Sequence, residues 1–403
     1  MQRNTAFDME KIFVMNLGTT SFKFKLFGYP GEEAQILASG ELECVGAETS
    51  RYFLLLPDKR EIRGEKKVPD HGAAFELCME LLREKGVLLS LSDLTAVAYK
   101  AVHGGRLSGT RIVDDGLIAE MERVLPLAPA HNAIYLSAMR SVRARYPDLI
   151  QAVRFETSFH ATVPEKRTVY GVPYQWKEEL GIRRFGFHGS SHQYIAETMK
   201  KTAPEARRVV SCHLGGSSSV CAILDGKSVA VSMGATLQSG LFQNNRVGDF
   251  EPFCLPFIMK HYGYTLEETL KILSSSSGFL GLSGVSNDYR PVKEAADGGN
   301  ARARLTLDAF ADQLTGLIGQ FAAYLGGLDA VVFTGGIGCG AADLREQVCK
   351  NLSFLGVELD EEKNASGETK ISADKSRVSV WRLKTDEESV VARCVRDLLK
   401  TRA

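Results

Sequence analysis

Two stretches of the chain hold small polar residues in a pattern suited to gripping phosphate. "FVMNLGTTSFKFKLF" begins at Phe13 and "VSCHLGGSSSVCAIL" at Val210. Each is an apolar run, then one polar residue with Leu-Gly, then small hydroxyl residues, then a second apolar run. Asn16 and His213 take the same place in the two phrases. Turns of small residues expose backbone N–H groups, and Ser and Thr hydroxyls add donors, so two such turns can hold the phosphates of a nucleotide. Neither is a P-loop, because no G-x-x-x-x-G-K-[ST] occurs. Either turn alone reads as a tight hairpin. The repetition is what gives the phosphate reading weight. In "FGFHGSSH" a histidine, His188, follows two aromatics and precedes a glycine. For His160 and His192 the favoured expectation is a core histidine with a backbone partner.

The elements that must position these residues follow from periodicity. "KIFVMNLG" is a strand ending in a turn at Gly18, and "SFKFKLF" alternates apolar and polar residues up to Pro30-Gly31, so the two form a hairpin. "ASGELECV" and "YFLLLP" extend an antiparallel meander. "AAFELCMELLREKG" places Phe75, Cys78, Leu81 and Leu82 on one helical face with Gly86 as its stop. "LTAVAYKAVHGG" is then a buried strand running into paired glycines. The second half repeats the order: strand, glycine turn, strand, a turn at Asp225-Gly226, and a third strand. A long helix follows over "LTLDAFADQLTGLIGQFAAYLGG", with Phe310, Leu314, Leu317, Phe321 and Leu325 on one stripe, and then "LDAVVFTGGIG". Duplication explains the repeated phrase: two similar α/β domains, each bringing a glycine turn to a shared cleft. The junction is expected near 154–164, and "SSSSG" at 274–278 is expected to be a functional loop.

Composition narrows the classes. A chain of 403 residues exceeds what one hydrophobic core usually serves, which favours two domains. Lys+Arg and Asp+Glu are both 49, so no global charge draws the chain to nucleic acid or an anionic membrane. No apolar run is long enough to span a bilayer. The N-terminal stretch lacks a charged-then-apolar export pattern, so a cytoplasmic location is expected. Eight scattered cysteines without a Cys-x-x-Cys pair read as buried free thiols. The histidines are not read as a transition-metal pair.

The whole set of motifs is more specific than any one. "NLGTTSFKF", "VHGG", "LAPAHN", "RFETSFH", "RRFGFHGSSHQY", "HLGGSSS", "GDFEP", "SGFLGLSGVSNDYR", "FTGGIG" and "KTDEE" occur in that order from about residue 12 to 390. The chain thereby resembles acetate kinase and its short-chain carboxylate kinase relatives. The resemblance implies an α/β fold of duplicated actin-like ATPase (ribonuclease H-like) domains, mixed sheets flanked by helices, with a cleft between them. It implies domains at 1–156 with 388–403 and at 157–387, the second binding nucleotide and forming a homodimer. It implies ATP/ADP and Mg²⁺, a small carboxylate or acyl phosphate, and reversible phosphoryl transfer. By motif, Asn16 and Glu387 serve the metal. Ser21 and Lys23 lie beside the phosphates, unless Lys23 is simply an outward strand residue. His188, Arg246, Lys100 and Glu156 are catalytic, the arginine fork suiting two oxygens at once. His213, Leu214, Gly215, Gly216 and Ser217, then Asp288, Tyr289 and Arg290, then Gly336, Ile337, Gly338, Cys339 and Gly340 surround the nucleotide. Val102, Ala130, His131, Phe187 and Leu237 line the acid pocket.

The departures from the family pattern cluster at the chemistry. Lys100 stands for an arginine and Glu156 for an aspartate. Cys339 and Gly340 replace Glu and Asn, Gly216 replaces an asparagine, Ala130 a leucine and Leu237 a proline. The leading expectation is an ATP-dependent kinase of a C2–C4 carboxylate, acetate by default. The alternative is a catalytically weak paralogue that senses nucleotide or acyl phosphate, and a sugar kinase on the same scaffold is a weaker third.

Overall fold

The structure is a computed structural model that describes residues 9–402. Residues 1–8 and 403, which the expected domain ranges and the N-terminal export reading include, lie outside the described residues. The chain divides into two compact units. One runs to Ser158 and takes back the chain from Asp386; the other is Phe159–Thr385.

The first unit is built on a mixed sheet. Its strands are β1 (Glu10–Leu17), β2 (Ser21–Tyr29), β3 (Gln35–Glu43), β4 (Ser50–Leu55), β5 (Glu61–Lys66), β6 (Ala96–Ala101), β7 (Thr110–Ile112) and β8 (Gln151–Phe155), in the order β5-β4-β3-β2-β1-β6-β8-β7. The meander β1 to β5 is antiparallel, as its alternation and turns require. β1, β6 and β8 are parallel neighbours. Helices α1 (His71–Glu84), α2 (Asp115–Arg123), α3 (Pro129–Arg145) and the C-terminal α13 (Glu387–Lys400) flank the sheet. The strand period of two sorts the core. Ile12 and Val14 pack with Val391, Ala392 and Val395 of α13, while Phe13 faces the other way onto Phe75 of α1 at 5.6 Å between ring centroids. Phe75, Cys78, Leu81 and Leu82 are buried as the helical spacing requires.

The second unit repeats the plan. Its strands β9 (Arg208–Leu214), β10 (Ser218–Leu224), β11 (Lys227–Val231), β12 (Ala330–Thr334) and β13 (Ser379–Arg382) run β11-β10-β9-β12-β13. Two antiparallel pairings are followed by two parallel ones, the same series as β3-β2-β1-β6-β8. The repeated phrase of the sequence is therefore a repeated sheet topology, and Asn16 and His213 are each the penultimate residue of the equivalent strand. The helices are α4 (Gly189–Thr202), α5 (Cys254–Tyr262), α6 (Leu266–Ser275), α7 (Gly278–Ser283), α8 (Tyr289–Asp297), α9 (Ala301–Leu325), α10 (Gly335–Gly340), α11 (Ala342–Asn351) and α12 (Glu361–Ser366).

Two local expectations need correction. Ile318, not Leu317, completes the buried stripe of α9 with Phe310, Leu314, Phe321 and Leu325. Position 318 continues the i, i+4 row from 310 and 314, whereas 317 falls at the rim. The "SSSSG" segment is not a free loop. Ser274 and Ser275 end α6, their hydroxyls donating to the Lys271 carbonyl at 3.1 and 2.7 Å.

Candidate active site

In the first unit, Asn16, Lys100 and Glu156 lie at the C-terminal ends of three adjacent parallel strands. Met15 pairs with Tyr99 across β1 and β6, Lys100 with Arg154 across β6 and β8, and the Glu156 N–H donates to the Ala101 carbonyl at 2.8 Å. Strand ends of this kind are where α/β sheets place ligands. The start of α13 completes the group. Lys100 forms an ion pair with Glu387 in which both side chains are only 13% exposed. The Asn16 amide donates to Glu388 Oε1 at 3.1 Å. Lys25, two residues along β2 from Lys23, reaches Asp386 at 2.7 Å and Glu388 at 3.3 Å. Burial pulls the Lys100 ammonium down, but Glu387, Glu156 and Glu388 outweigh it and hold it protonated well above the ordinary lysine range.

Glu388 and Lys25 are members of this group that the sequence reading did not single out. Glu388 was legible as the second acid of "KTDEE"; Lys25 carried no motif signal. Lys23 pairs instead with Glu41, its cross-strand neighbour, and its side chain is 54% exposed. The turn after β1 is pinned from two sides. Gly18 N–H donates to the Ser21 carbonyl at 2.9 Å, and a Cβ on Gly18 would meet Ser21 Oγ at 2.5 Å. His71 Nε2 sits 2.9 Å from the Gly18 carbonyl and 3.3 Å from the Ser21 carbonyl, so that nitrogen carries its proton. Leu17 N–H donates to the buried Tyr135 hydroxyl at 3.0 Å.

Val102 is buried just past β6, and Ala130 and His131 open α3. Asn132, in the same "LAPAHN" motif, ties that helix to "VHGG": its Oδ1 accepts from His103 N–H and its Nδ2 donates to the His103 carbonyl. Among the described residues no three His, Cys, Asp or Glu side chains converge as a ready-made metal cage. The oxygen donors near Lys100 nonetheless fit Mg²⁺, which keeps its waters and takes one or two carboxylates beside substrate phosphates.

In the second unit four histidines form one network. His188 stands at the N-cap of α4 in the left-handed region (φ 56°), a conformation that is costly for a non-glycine residue and that concentrates at functional sites. Gly186 before it also has positive φ, and a Cβ there would lie 2.4 Å from Val231. The His188 ring stacks on His213 with centroids 4.2 Å apart. His188 Nδ1 meets Ser219 Oγ at 2.8 Å, and His213 Nδ1 meets Ser191 Oγ at 2.8 Å. His192 departs from expectation: its partners are the hydroxyls of Ser211 and Ser219, both at 2.9 Å, because α4 packs over the sheet face on which these two serines stand among apolar neighbours such as Val209 and Cys221. Its four-residue spacing from His188 thus serves a shared hydroxyl. His160 has the expected backbone partner, the carbonyl of Phe187 at 2.9 Å, and its pKa is pulled down to about 4 by burial.

Arg246 is half-buried, and its guanidinium donates to Ser217 Oγ and Gln243 Oε1, both at 3.1 Å. Desolvation alone acts on it, lowering its pKa; among the described residues no carboxylate pairs with it. A pocket of about 830 Å³ opens beside this arginine's turn. Of the predicted nucleotide residues, Gly215, Gly216, Asp288, Tyr289 and Arg290 line it, with Gly336, Ile337 and Gly340. Asp288 caps α8 and holds Arg290 at 2.6 Å, and the Tyr289 hydroxyl donates to Asp343 at 3.1 Å. Asn244, Lys293 and Asp343 line the pocket too and were not foreseen. His213, Leu214, Ser217, Gly338 and Cys339 are not among its lining residues, and Cys339 Sγ turns to the Leu383 carbonyl at 3.4 Å. Phe187 and Leu237 are buried.

Comparison with known proteins agrees with this geometry. The acetokinase family matches residues 11–393. The chain is 41% identical to a propionate kinase of Citrobacter rodentium over 390 residues, 96% of each chain. It is 39% identical to an acetate kinase of Natranaerobius thermophilus over 397 residues, 96% of this chain and 99% of the relative. The structure of Porphyromonas gingivalis acetate kinase superposes with a TM-score of 0.87 at 33% identity, covering 97% of this chain and all of that one. A propionate kinase from Francisella tularensis gives 0.88 at 30% identity, covering 96% and 99%. The duplicated mixed sheets, the strand-end carboxylates and these matches together establish that this chain belongs to the acetokinase family.

Proposed function

We propose that this protein transfers the terminal phosphoryl group of ATP to a short-chain carboxylate, reversibly, giving an acyl phosphate and ADP. Relatives named acetate kinase and propionate kinase support the reaction class. The observation that carries it here is Arg246. A half-buried guanidinium with hydroxyl and amide partners but, among the described residues, no carboxylate is a cation waiting for an anion, beside a pocket of nucleotide size.

In the transfer, a carboxylate oxygen forms a bond to the γ-phosphorus as the bond to the β-bridging oxygen breaks, and ADP leaves with that electron pair. No base is needed, since the nucleophile is already ionised. The protein therefore contributes positioning and charge. Arg246 grips the transferring group, and His188 donates to its oxygens from Nε2 in the tautomer whose Nδ1 accepts from the Ser219 hydroxyl. His213 and the turn at Gly215 and Gly216 serve the phosphates. Lys100 offsets the acid's charge. Asn16, Glu156 and Glu387 would hold Mg²⁺, which supplies charge neutralisation on the phosphate oxygens when bound. Lys100 and Glu156 keep the charges of the residues they replace, and no finding favours the weak sensor.

Acetate and propionate are both open as the acid. A homodimer is supported by α5, none of whose residues is fully buried, and which with its N-cap residue presents Phe253 and Phe257 at 86% and 75% exposure. A cytoplasmic location is supported by Cys78, Cys212, Cys221 and Cys349, which are buried as thiols, whereas Cys44 is exposed against the expectation of burial. The test is a coupled assay with ATP, Mg²⁺ and a panel of C2–C5 acids, trapping the acyl phosphate as its hydroxamate. Turnover with acetate or propionate is expected. Nucleotide binding without turnover on any acid would overturn the kinase in favour of the sensor, and turnover only on polyols in favour of a sugar kinase.

A further inference from the structure

Asn244 lies on the wall of the nucleotide pocket, and nothing in the chain explains its side chain. Its backbone is fixed. The turn it sits in is closed by Gln243 N–H donating to the Arg246 carbonyl at 2.9 Å, and its own carbonyl accepts from Leu280 N–H at 3.0 Å. Its side-chain Oδ1 is buried without a hydrogen-bond partner. An orphaned amide oxygen is destabilising, and such groups are rare enough in folded proteins to call for a reason.

The residue facing it supplies one. A Cβ placed on Gly216 would stand 3.6 Å from Asn244 Nδ2, and beyond its own chain neighbours no other atom of the described residues lies within 4 Å. Gly216 is not among the glycines with positive φ, so its backbone does not require glycine. What it provides is the absence of a side chain, and the Asn244 amide borders the space left. Two residues on, Arg246 donates to Ser217, the neighbour of Gly216. The amide and the guanidinium thus approach the same glycine turn from one short segment.

We propose that Asn244 is a nucleotide-binding residue of this chain, its side-chain amide donating to phosphate oxygens of ATP in the space that Gly216 leaves open. The inference rests on the nucleotide reading above. ATP suits the amide on both branches: phosphate oxygens accept from Nδ2, and a ribose hydroxyl or a carried water donates to Oδ1. The sequence expectation of an asparagine at 216 is then met from across the pocket, so position 244 does what position 216 does not.

The test is titration calorimetry of ATP and ADP with the full chain and its variants, with thermal unfolding alongside. Asn244→Ala is expected to weaken ATP binding roughly tenfold to a hundredfold, the range for one hydrogen bond to a charged group. Its melting temperature is expected to hold or rise, because an unsatisfied buried amide is removed; a merely structural asparagine would lower it. Gly216→Asn alone sets two amides in one space and is expected to weaken binding as well. Gly216→Asn combined with Asn244→Gly is expected to recover affinity to within about threefold of the parent. Asn244→Ser, shorter and polar, replaces the alanine variant if that does not fold. Unchanged affinity in Asn244→Ala or Asn244→Ser, or no recovery in the double variant, overturns the inference and leaves the nucleotide site standing. A parent chain that binds neither nucleotide removes both.

Discussion

Lys100→Met is the sharpest perturbation of the strand-end cluster, because methionine keeps an unbranched stem of nearly the length of lysine and removes the ammonium with its charge and donors. In the parent chain the ammonium faces Glu387, Glu156 and Glu388, and it and Glu387 are each 13% exposed. Removing one partner of a pair so buried costs about 3–5 kcal/mol, since the other charge is left desolvated. A Coulomb energy of about 4 kcal/mol at 4 Å and an effective dielectric of 20 agrees. For a unit of this size each kcal/mol shifts the midpoint by about 2–4 °C, so the melting temperature should fall on the order of 10 °C. The sign of the pH dependence follows. A lysine whose folded pKa is raised contributes stability fully below its unfolded pKa of about 10.4 and loses it only above. The deficit should therefore be flat across neutral pH. It should also persist in high salt, which screens buried pairs weakly. Adding Glu387→Gln to the variant should restore more than half of the loss. The assay is thermal and urea unfolding followed by circular dichroism. A deficit below about 1 kcal/mol, or one that salt abolishes, would show an ordinary exposed pair and refute the reasoning.

Ser219→Ala removes the hydroxyl shared by His188 and His192, so kcat should fall about tenfold with KM for ATP little changed, and Ser219→Thr should recover most of it; steady-state kinetics with an unaltered kcat would sink the positioning role. His160, held neutral by burial with a pKa near 4, depresses stability as acid is added: the loss begins below the unfolded pKa of about 6.5 and amounts to about 3 kcal/mol by pH 4. Urea midpoints from pH 4 to 7 should show His160→Gln with a shallower acid slope than the parent, and equal slopes would discount the buried histidine. Gly340 has ordinary φ and open space where a Cβ would go, so Gly340→Asn should change stability by less than about 0.5 kcal/mol while altering the ATP-to-GTP ratio of kcat/KM; an unchanged ratio would remove position 340 from nucleotide choice.

The repeated strand-turn-strand phrase, the α1 face and the glycine-ended strands were legible because each is a local pattern: periods of 2 and 3.6, and glycine where a turn requires it. The same local logic placed Asn16 and His213 at equivalent strand ends. It failed where a residue's partner is remote. His192 looked like a core histidine with a backbone bond, but its hydroxyl partners come from β9 and β10, and no spacing within "FGFHGSSH" encodes them. Lys23 carried the motif signal, while Lys25 on the same face of β2 makes the buried contacts.

Local chemistry in the chain was thus enough to determine the elements, their duplication and the types of residue available for phosphate and carboxylate. Only the tertiary structure decided which of them meet. Lys100 and Glu387 are 287 residues apart and Asn16 and Glu388 are 372 apart, joined because α13 returns to the sheet of the first unit. Periodicity reports which way a side chain faces. It carries no information on which distant segment arrives there, because that is settled by the packing of whole faces against one another.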